Sequence, residues 1–427
     1  MNKRKKRILA LVLAAILLAA VCVGVILWCN APQTFEASYL GVRGYGTVKR
    51  AEVLDPNSAI YRFSVDGREQ CYRIDCGAIY ADSIPDGERQ ADKGYFKVLP
   101  AEDGAYPIQN LLREGETYRL TAEDDTILSC EALTRPGTFT PIVTGTPGKH
   151  TLKNFLQTGL MPAGNVLYVY GGGWDWQDIG SSEQARSIGV SELWTDAFTR
   201  VDAGYCYRDE AHPSETTFPF GEWNQYYYLG LDCSAFVGWT LYNTIYDESL
   251  THPGFVRPAC DMAKMLAEDY DFGTWSHTET ELRPGDVVST AGHVWICVGC
   301  CPDGSAVTVE SNITPSCTGV WGGGVHLCAV SPKGENDRTC AACELVSSYM
   351  ETYYPQWAER YPTTVFDRSK AMSFSDDPAS TGVFHWNITE DPGTAGGLAD
   401  PEGLASMDAE AILTELFRDA AATTEKR

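Results

Sequence analysis

The sequence predicts an α+β protein in two globular parts, the first β-rich and the second mixed, behind an apolar N-terminal run. Three observations point there. Residues 8–28 hold no charge; residues 39–135 are short alternating apolar segments broken by turn residues; from residue 151 helical spacing gives way to strand-like runs. With 427 residues, 44% hydrophobic and 21% charged, the composition is globular, and the length allows two or three domains of roughly 150 residues each.

The N-terminus reads as a membrane element. "MNKRKKR" (1–7) precedes "ILALVLAAILLAAVCVGVILW" (8–28), 21 residues that as a helix would span roughly 30 Å, one bilayer core. A secretory signal would have a shorter apolar core and a small-x-small cleavage site, whereas Pro32 directly follows Ala31. A lipoprotein signal would need a small residue before the modified cysteine, but Val21 and Trp28 stand there. The expectation is an uncleaved, single-pass transmembrane anchor, with Lys3 to Arg7 in the cytoplasm as a basic tail and everything after Trp28 exported.

The exported part is acidic: 33 Lys plus Arg, five of them at positions 3–7, stand against 57 Asp plus Glu. Such a surface repels nucleic acid, and no basic cluster exists beyond the N-terminus, so nucleic-acid binding is excluded. Two of the 15 cysteines, Cys22 and Cys29, lie in or beside the apolar run, which leaves an odd number beyond it. If that part is oxidised, at least one thiol stays unpaired or joins another chain. "CAAC" (340–343) lacks a second ligand pair of matching spacing, no H-E-x-x-H occurs, and the seven histidines show no ligand-like spacing. No metal or other cofactor is expected.

Residues 39–135 read as a small β-rich domain, a barrel or sandwich. "GTVKRAEVL", "AIYRFSVDG", "EQCYRIDCG" and "ETYRLTAEDDTILSCEAL" alternate apolar and polar residues between Gly, Pro, Asp and Asn turns. Nothing in them converges on chemistry: no histidine occurs, nor a glycine-rich phosphate loop. Residues 136–150, rich in Gly, Pro and Thr, read as a linker. Beyond it, "TLKNFLQTGL" has helical spacing, and "NVLYVYGGGWDW" is strand-like and ends in three glycines. "SSEQARSIG" offers a capping box from Ser181 to Gln184. Residues 333–427, aromatic-rich, are expected to pack as an extension on the preceding domain.

The chemistry gathers around "YYLGLDCSAFVGWTLYN" (227–243). Phe236, Val237, Thr240 and Leu241 recur at helical spacing, and Asp232 can cap that helix. Cys233 then sits in the first turn, where unpaired N–H groups and the helix dipole favour thiolate over thiol. A cysteine nucleophile needs a base, and the base an orienting group. "RPGDVVSTAGHVWICVG" reads as a strand after a Pro-Gly turn, and "SAVTVESN" as its hairpin partner across "CCPDG". His293, Trp295 and Cys297 share one face of the first strand. An even connecting loop would set Glu310 and Asn312 on that face, and an odd loop would turn both away.

Cys233 in "DCSAFV", "LRPGDVV", His293 in "GHVWICVG" and the upstream "LYVYGG" resemble, as an ordered set, the NlpC-type cell-wall cysteine peptidases and the related CHAP amidase/peptidase domains. "ESN" (310–312) resembles the CHAP version, in which Glu and Asn follow the histidine. The match covers roughly residues 150–330. It departs at Ala235, where the family carries Gly, and in a long insertion between Gly173 and Cys233.

The resemblance implies a papain-like catalytic domain over residues 151–332, with helices packed on an antiparallel sheet. It implies a membrane-anchored peptidoglycan hydrolase on the extracellular, wall-facing side that cuts an amide of the stem peptide or cross-bridge. Cys233 would be the nucleophile and His293 the base. Glu310 or Asn312 would orient the imidazole, Asn312 being preferred on hairpin geometry. By family analogy Asp232, Tyr168 and Ser234 would contact substrate. Two other readings stand beside it: a non-catalytic wall-binding scaffold on the same fold, and an acyltransferase using the same thioester.

Overall fold

A computed structural model describes residues 31–42, 58–75, 117–132, 139–174, 180–182, 184–191, 194, 195, 198, 230–246, 253–319, 321–374, 378–392 and 396–424. They fall into two compact units, one within residues 1–136 and one from residue 137 onward.

The first unit is a closed five-stranded barrel. Its strands β1 (Gln33–Val42), β2 (Ser58–Val65), β3 (Arg68–Asp75), β4 (Thr117–Glu123) and β5 (Thr126–Ala132) run in the order β1-β2-β3-β5-β4. All pairs are antiparallel except β3 with β5. Period-two alternation turns Tyr118, Leu120 and Ala122 of β4 inward, where they meet Phe63, Tyr39 and Ile127. β2 and β3 are joined by Asp66-Gly67, both at positive φ (50° and 75°), the two-residue turn that matches strand twist. The barrel begins at Gln33, six residues before the boundary drawn at 39, because β1 pairs with β4 from Gln33↔Ala122 onward.

The second unit sets helices on a seven-stranded sheet. Its elements are α1 (Leu152–Leu160), α2 (Cys233–Thr244), α3 (Met262–Glu268), β6 (Gly273–Ser276), β7 (Val287–Ser289), β8 (Val294–Cys300), β9 (Ala306–Pro315) and β10 (Trp321–Ser331). They continue through α4 (Ala341–Tyr353), α5 (Pro355–Arg360), β11 (Val365–Asp367), α6 (Arg368–Ala371), β12 (Gly382–Trp386), α7 (Ala409–Leu416) and α8 (Arg418–Thr424). Strand order is β11-β10-β9-β8-β7-β12-β6.

Three expectations about this architecture need correction. The sheet is mixed rather than antiparallel, since β11 lies parallel to β10. Residues beyond 332 are not an appended layer: β12 enters the sheet between β7 and β6. Its sequence, "GVFHW", is buried throughout, as suits a strand covered on both faces. The transmembrane helix expected at 8–28 is the third. Those residues lie outside the described ones, and among the described residues no helix is long and apolar enough to cross a membrane. The longest there, α4, has 13 residues and so spans about 20 Å, well short of a bilayer core.

α2 is apolar almost all round, with Ala235, Phe236, Val237, Trp239 and Leu241 fully buried, the signature of a helix inside a core rather than at its surface. It packs with α1, whose Leu152, Phe155, Leu156 and Leu160 face inward, against Val294, Ile296, Val307 and Val309 of the sheet. The segment read as a linker is pinned rather than loose. Buried Asn154 donates to the carbonyls of Thr146 (2.9 Å) and Lys149 (2.7 Å) and accepts the Thr146 N–H (2.6 Å). The capping box drawn from Ser181 to Gln184 does not form. Ser181 Oγ accepts the Val256 N–H instead (3.0 Å), and Ser182 Oγ takes that of Ala185.

Candidate active site

Cys233 is the first residue of α2 and is 6% exposed. Asp232, the residue before it, is extended and caps the helix. Its Oδ1 accepts the Ala235 N–H (2.7 Å) and the Ser234 hydroxyl (2.9 Å), and its Oδ2 accepts the Gly171 N–H (3.0 Å). Burial raises the Asp232 pKa, and the hydrogen bonds from Ala235, Ser234 and Gly171 oppose that rise. Asp232 and Ser234 are therefore committed to each other and to the helix start. The structure gives both a positioning role at the start of α2.

The third bond of Asp232 explains the upstream glycines. Residues 166–171 run beside Gly230 and Leu231, with Leu167 bridged to Gly230 and the Leu231 N–H bonded to the Leu167 carbonyl (3.1 Å). Gly171 turns with φ +74° and delivers its N–H to Asp232. At Gly173 an added Cβ would stand 2.0 Å from Ala235 Cβ and 2.7 Å from its Cα. Only glycine lets this backbone lie against the first turn of α2. Tyr168, offered as a substrate contact, lies in this segment, buried, with its N–H on the Gly323 carbonyl (3.0 Å).

His293 precedes β8 at the end of a four-residue turn from β7, in which its carbonyl accepts the Thr290 N–H (2.8 Å) and hydroxyl (3.2 Å). Its Nε2 meets Glu310 Oε2 at 2.5 Å. That contact leaves Nδ1 as the ring nitrogen available to Cys233, whose proximity to the imidazole contributes to the His293 pKa. Burial works against charge on His293. The interactions of its ring N–H groups with Cys233 and Glu310, with the negative charges of both, outweigh it and push the His293 pKa up to about 10. Glu310 is 1% exposed; burial would raise its pKa, yet the His293 bond and charge and the Thr308 bond hold it below the usual carboxylate range.

Glu310, rather than the preferred Asn312, thus orients the base. Asn312 Nδ2 donates to the same Glu310 Oε2 (3.2 Å) and its Oδ1 accepts the Ile313 N–H (2.7 Å), so it supports the carboxylate. The hairpin register shows how this comes about. The loop between Cys300 and Ala306 has an odd number of residues, which alone would turn Glu310 away. Between Cys297 and Gly299, however, β8 carries a bulge. The pairing changes from Cys300↔Ala306 and Gly299↔Val307 to Cys297↔Thr308 and Ile296↔Val309. Carried on, the shifted register sets Asn312 opposite His293; without the bulge, Ile313 would stand there.

Two residues of the assembly were not singled out from sequence. The Thr308 hydroxyl donates to Glu310 Oε1 (2.7 Å), and the Ser311 hydroxyl donates to the Leu231 carbonyl (2.5 Å), tying the approach to Cys233 to the strand that carries Glu310. Both lie in "TVESN", whose dense polar residues on a strand buried on both faces are the available signal. A cleft of about 500 Å³ lined by His277, Glu279, Arg368, Met372 and Phe374 touches none of the candidate residues. Among the described residues no group of His, Cys, Asp and Glu is arranged to hold a metal ion.

A cysteine at a helix N-terminus, beside an imidazole that a buried carboxylate aligns, has the parts of a thiol nucleophile and its proton carrier. No family model matches this chain, and no curated protein or solved structure matches it either.

Proposed function

We propose that the protein hydrolyses an amide bond of peptidoglycan, in the stem peptide or a cross-bridge, by Cys–His thiol catalysis on the wall side of a bacterial envelope. The observation that carries the chemistry is the Cys233–His293–Glu310 assembly; the substrate class rests on the resemblance of "DCSAFV", "LRPGDVV" and "GHVWICVG" to NlpC-type and CHAP domains.

In this reading Cys233 passes its proton to His293, whose charged form Glu310 favours at neutral pH. Thiolate sulfur attacks the amide carbonyl carbon, and the carbonyl oxygen takes up the charge. Asp232 occupies the first-turn donors: its carboxylate takes the N–H groups of Ala235 and Ser234 and its carbonyl that of Phe236 (2.9 Å). The Cys233 N–H is the remaining first-turn donor for that oxyanion. Collapse of the adduct breaks the C–N bond as His293 gives its proton to the departing amine, leaving a thioester. Neutral His293 then takes a proton from water, whose oxygen attacks the thioester and releases the carboxylic acid and the Cys233 thiolate. Proton transfer of this kind contributes about 10²–10⁴ in rate.

The test compares the full chain with Cys233→Ala on purified peptidoglycan, with mass spectrometry of released fragments. The expected result is new amine and carboxyl termini with the wild-type chain and none with the variant. Equal release by both overturns catalysis and leaves the scaffold reading. Transfer of the acyl group to an added amine, without hydrolysis, would make the protein an acyltransferase.

A further inference from the structure

Glu310 is nearly inaccessible, so its effect on His293 depends on what holds its two oxygens. Oε2 is shared by His293 (2.5 Å) and Asn312 Nδ2 (3.2 Å). Oε1 receives the Thr308 hydroxyl at 2.7 Å. That hydroxyl has a second acceptor, the Cys328 carbonyl, but at 3.5 Å, so the shorter carboxylate bond claims its proton.

The neighbouring strand supplies neutral groups. His326 lies directly across from Glu310 in the β9–β10 pairing. Its Nδ1 meets the Gly324 carbonyl (2.9 Å), which fixes the proton on Nδ1 and leaves Nε2 as an acceptor near Thr364 Oγ1 and Cys328 Sγ (both 3.1 Å). Burial keeps His326 below its ordinary pKa and pushes the Cys328 thiol well above its own, so neither carries charge at neutral pH. The Cys328 thiol is within reach of both Glu310 and His326 and is a weak donor. His293 is thus the charged partner facing Glu310, and Thr308 is the strong neutral donor on the far oxygen.

We propose that Thr308 is a positioning residue for the Cys–His pair: its hydroxyl pins Glu310 Oε1, so that Oε2 stays aimed at His293 Nε2. The inference rests on the Cys–His reading above and extends it by one residue behind the carboxylate. It also accounts for a polar side chain at a fully buried strand position where Val307 and Val309 flank it. Without the hydroxyl, Oε1 of the buried carboxylate loses its Thr308 donor, and the anion is disfavoured. A less stable Glu310 anion supports the imidazolium less, so His293 must lose its proton at lower pH.

The experiment uses the full chain with histidine-selective isotope labels and follows His293 by NMR titration. Thr308→Val removes the donor at nearly constant shape, and Thr308→Ser restores it. The expected result is a His293 titration moved down by about one pH unit in Thr308→Val and returned in Thr308→Ser, with kcat/KM on peptidoglycan falling by roughly tenfold and recovering in parallel. If the valine variant does not fold, Thr308→Ala makes the same comparison. An unchanged His293 titration in the folded, donor-free variant overturns the proposal. If the titration shifts as expected but wild type leaves peptidoglycan intact, the positioning role stands and the substrate reading falls.

Discussion

Asp232 holds three parts of the site together, and substitutions there separate its two jobs. Asp232→Ala removes the N-cap of α2 and the bond to Gly171. Loss of a capping side chain costs about 1 kcal/mol, within a range of roughly 0.5–2. The buried Gly171 N–H is then left without its acceptor, at about 1–3 kcal/mol. Together Asp232→Ala should cost about 2–4 kcal/mol. Asp232→Asn keeps an oxygen for Ala235 and Ser234 but sets an amide N–H against the Gly171 N–H. Only the second cost applies, about 1–3 kcal/mol. The assay is chemical denaturation followed by tryptophan fluorescence. Ten of the chain's 11 tryptophans lie beyond residue 136, so the signal reports the unit that carries the site. The order wild type, Asn, Ala in midpoint is the expected outcome. Equal midpoints for Asn and Ala would show that the cap contributes nothing, and an unshifted Ala variant would refute the whole account of Asp232.

Three further outcomes follow from the same geometry. Glu310→Gln removes the negative charge that keeps His293 protonated. Its pKa must drop from about 10 and the basic limb of the kcat/KM profile move to lower pH, with activity down roughly 10²–10⁴-fold; a superimposable profile would contradict the assignment of Glu310. Gly173→Ala drives a Cβ to 2.0 Å from Ala235 Cβ and should destabilise by about 1–3 kcal/mol, partly relieved by Ala235→Gly, as thermal melts of the single and double variants would show. Hydrolysis should survive EDTA and be abolished by alkylation that peptide mapping locates at Cys233, whereas loss with EDTA would argue for a different mechanism.

What could be read in the sequence, and what could not, divides by range. The capped helix starting at Cys233 was legible because capping and periodicity are local. His293 and Glu310 were legible as hairpin neighbours, since their strands are adjacent in the chain. Their register was not, because two one-residue effects offset each other and the hairpin pattern carries no count of bulges. Gly299 was the clue, an isolated glycine within a strand. The structure adds why it is glycine: a Cβ there would stand 3.0 Å from Ala409 Cα at the start of α7. The place of β12 depends on partners more than ninety residues earlier in sequence, and nothing in "GVFHW" names them. Asp286 shows that link after the fact. It is the aspartate of "RPGDVV", and it holds His385 of β12 at 2.7 Å.

The bulge in β8 also sets rules for insertion and deletion in this hairpin. The turn at residues 301–305 and the extra residue at 298 are each off by one, and the carboxylate reaches the imidazole only because both are present. A single residue added at the exposed tip, a place where proteins usually tolerate change, would be expected to silence the site unless the strand lost its bulge or the loop absorbed the residue. Two residues added there would leave chemistry intact. The tolerance of the tip should therefore alternate with the number of residues inserted, a pattern that a short insertion series scored for activity would reveal directly.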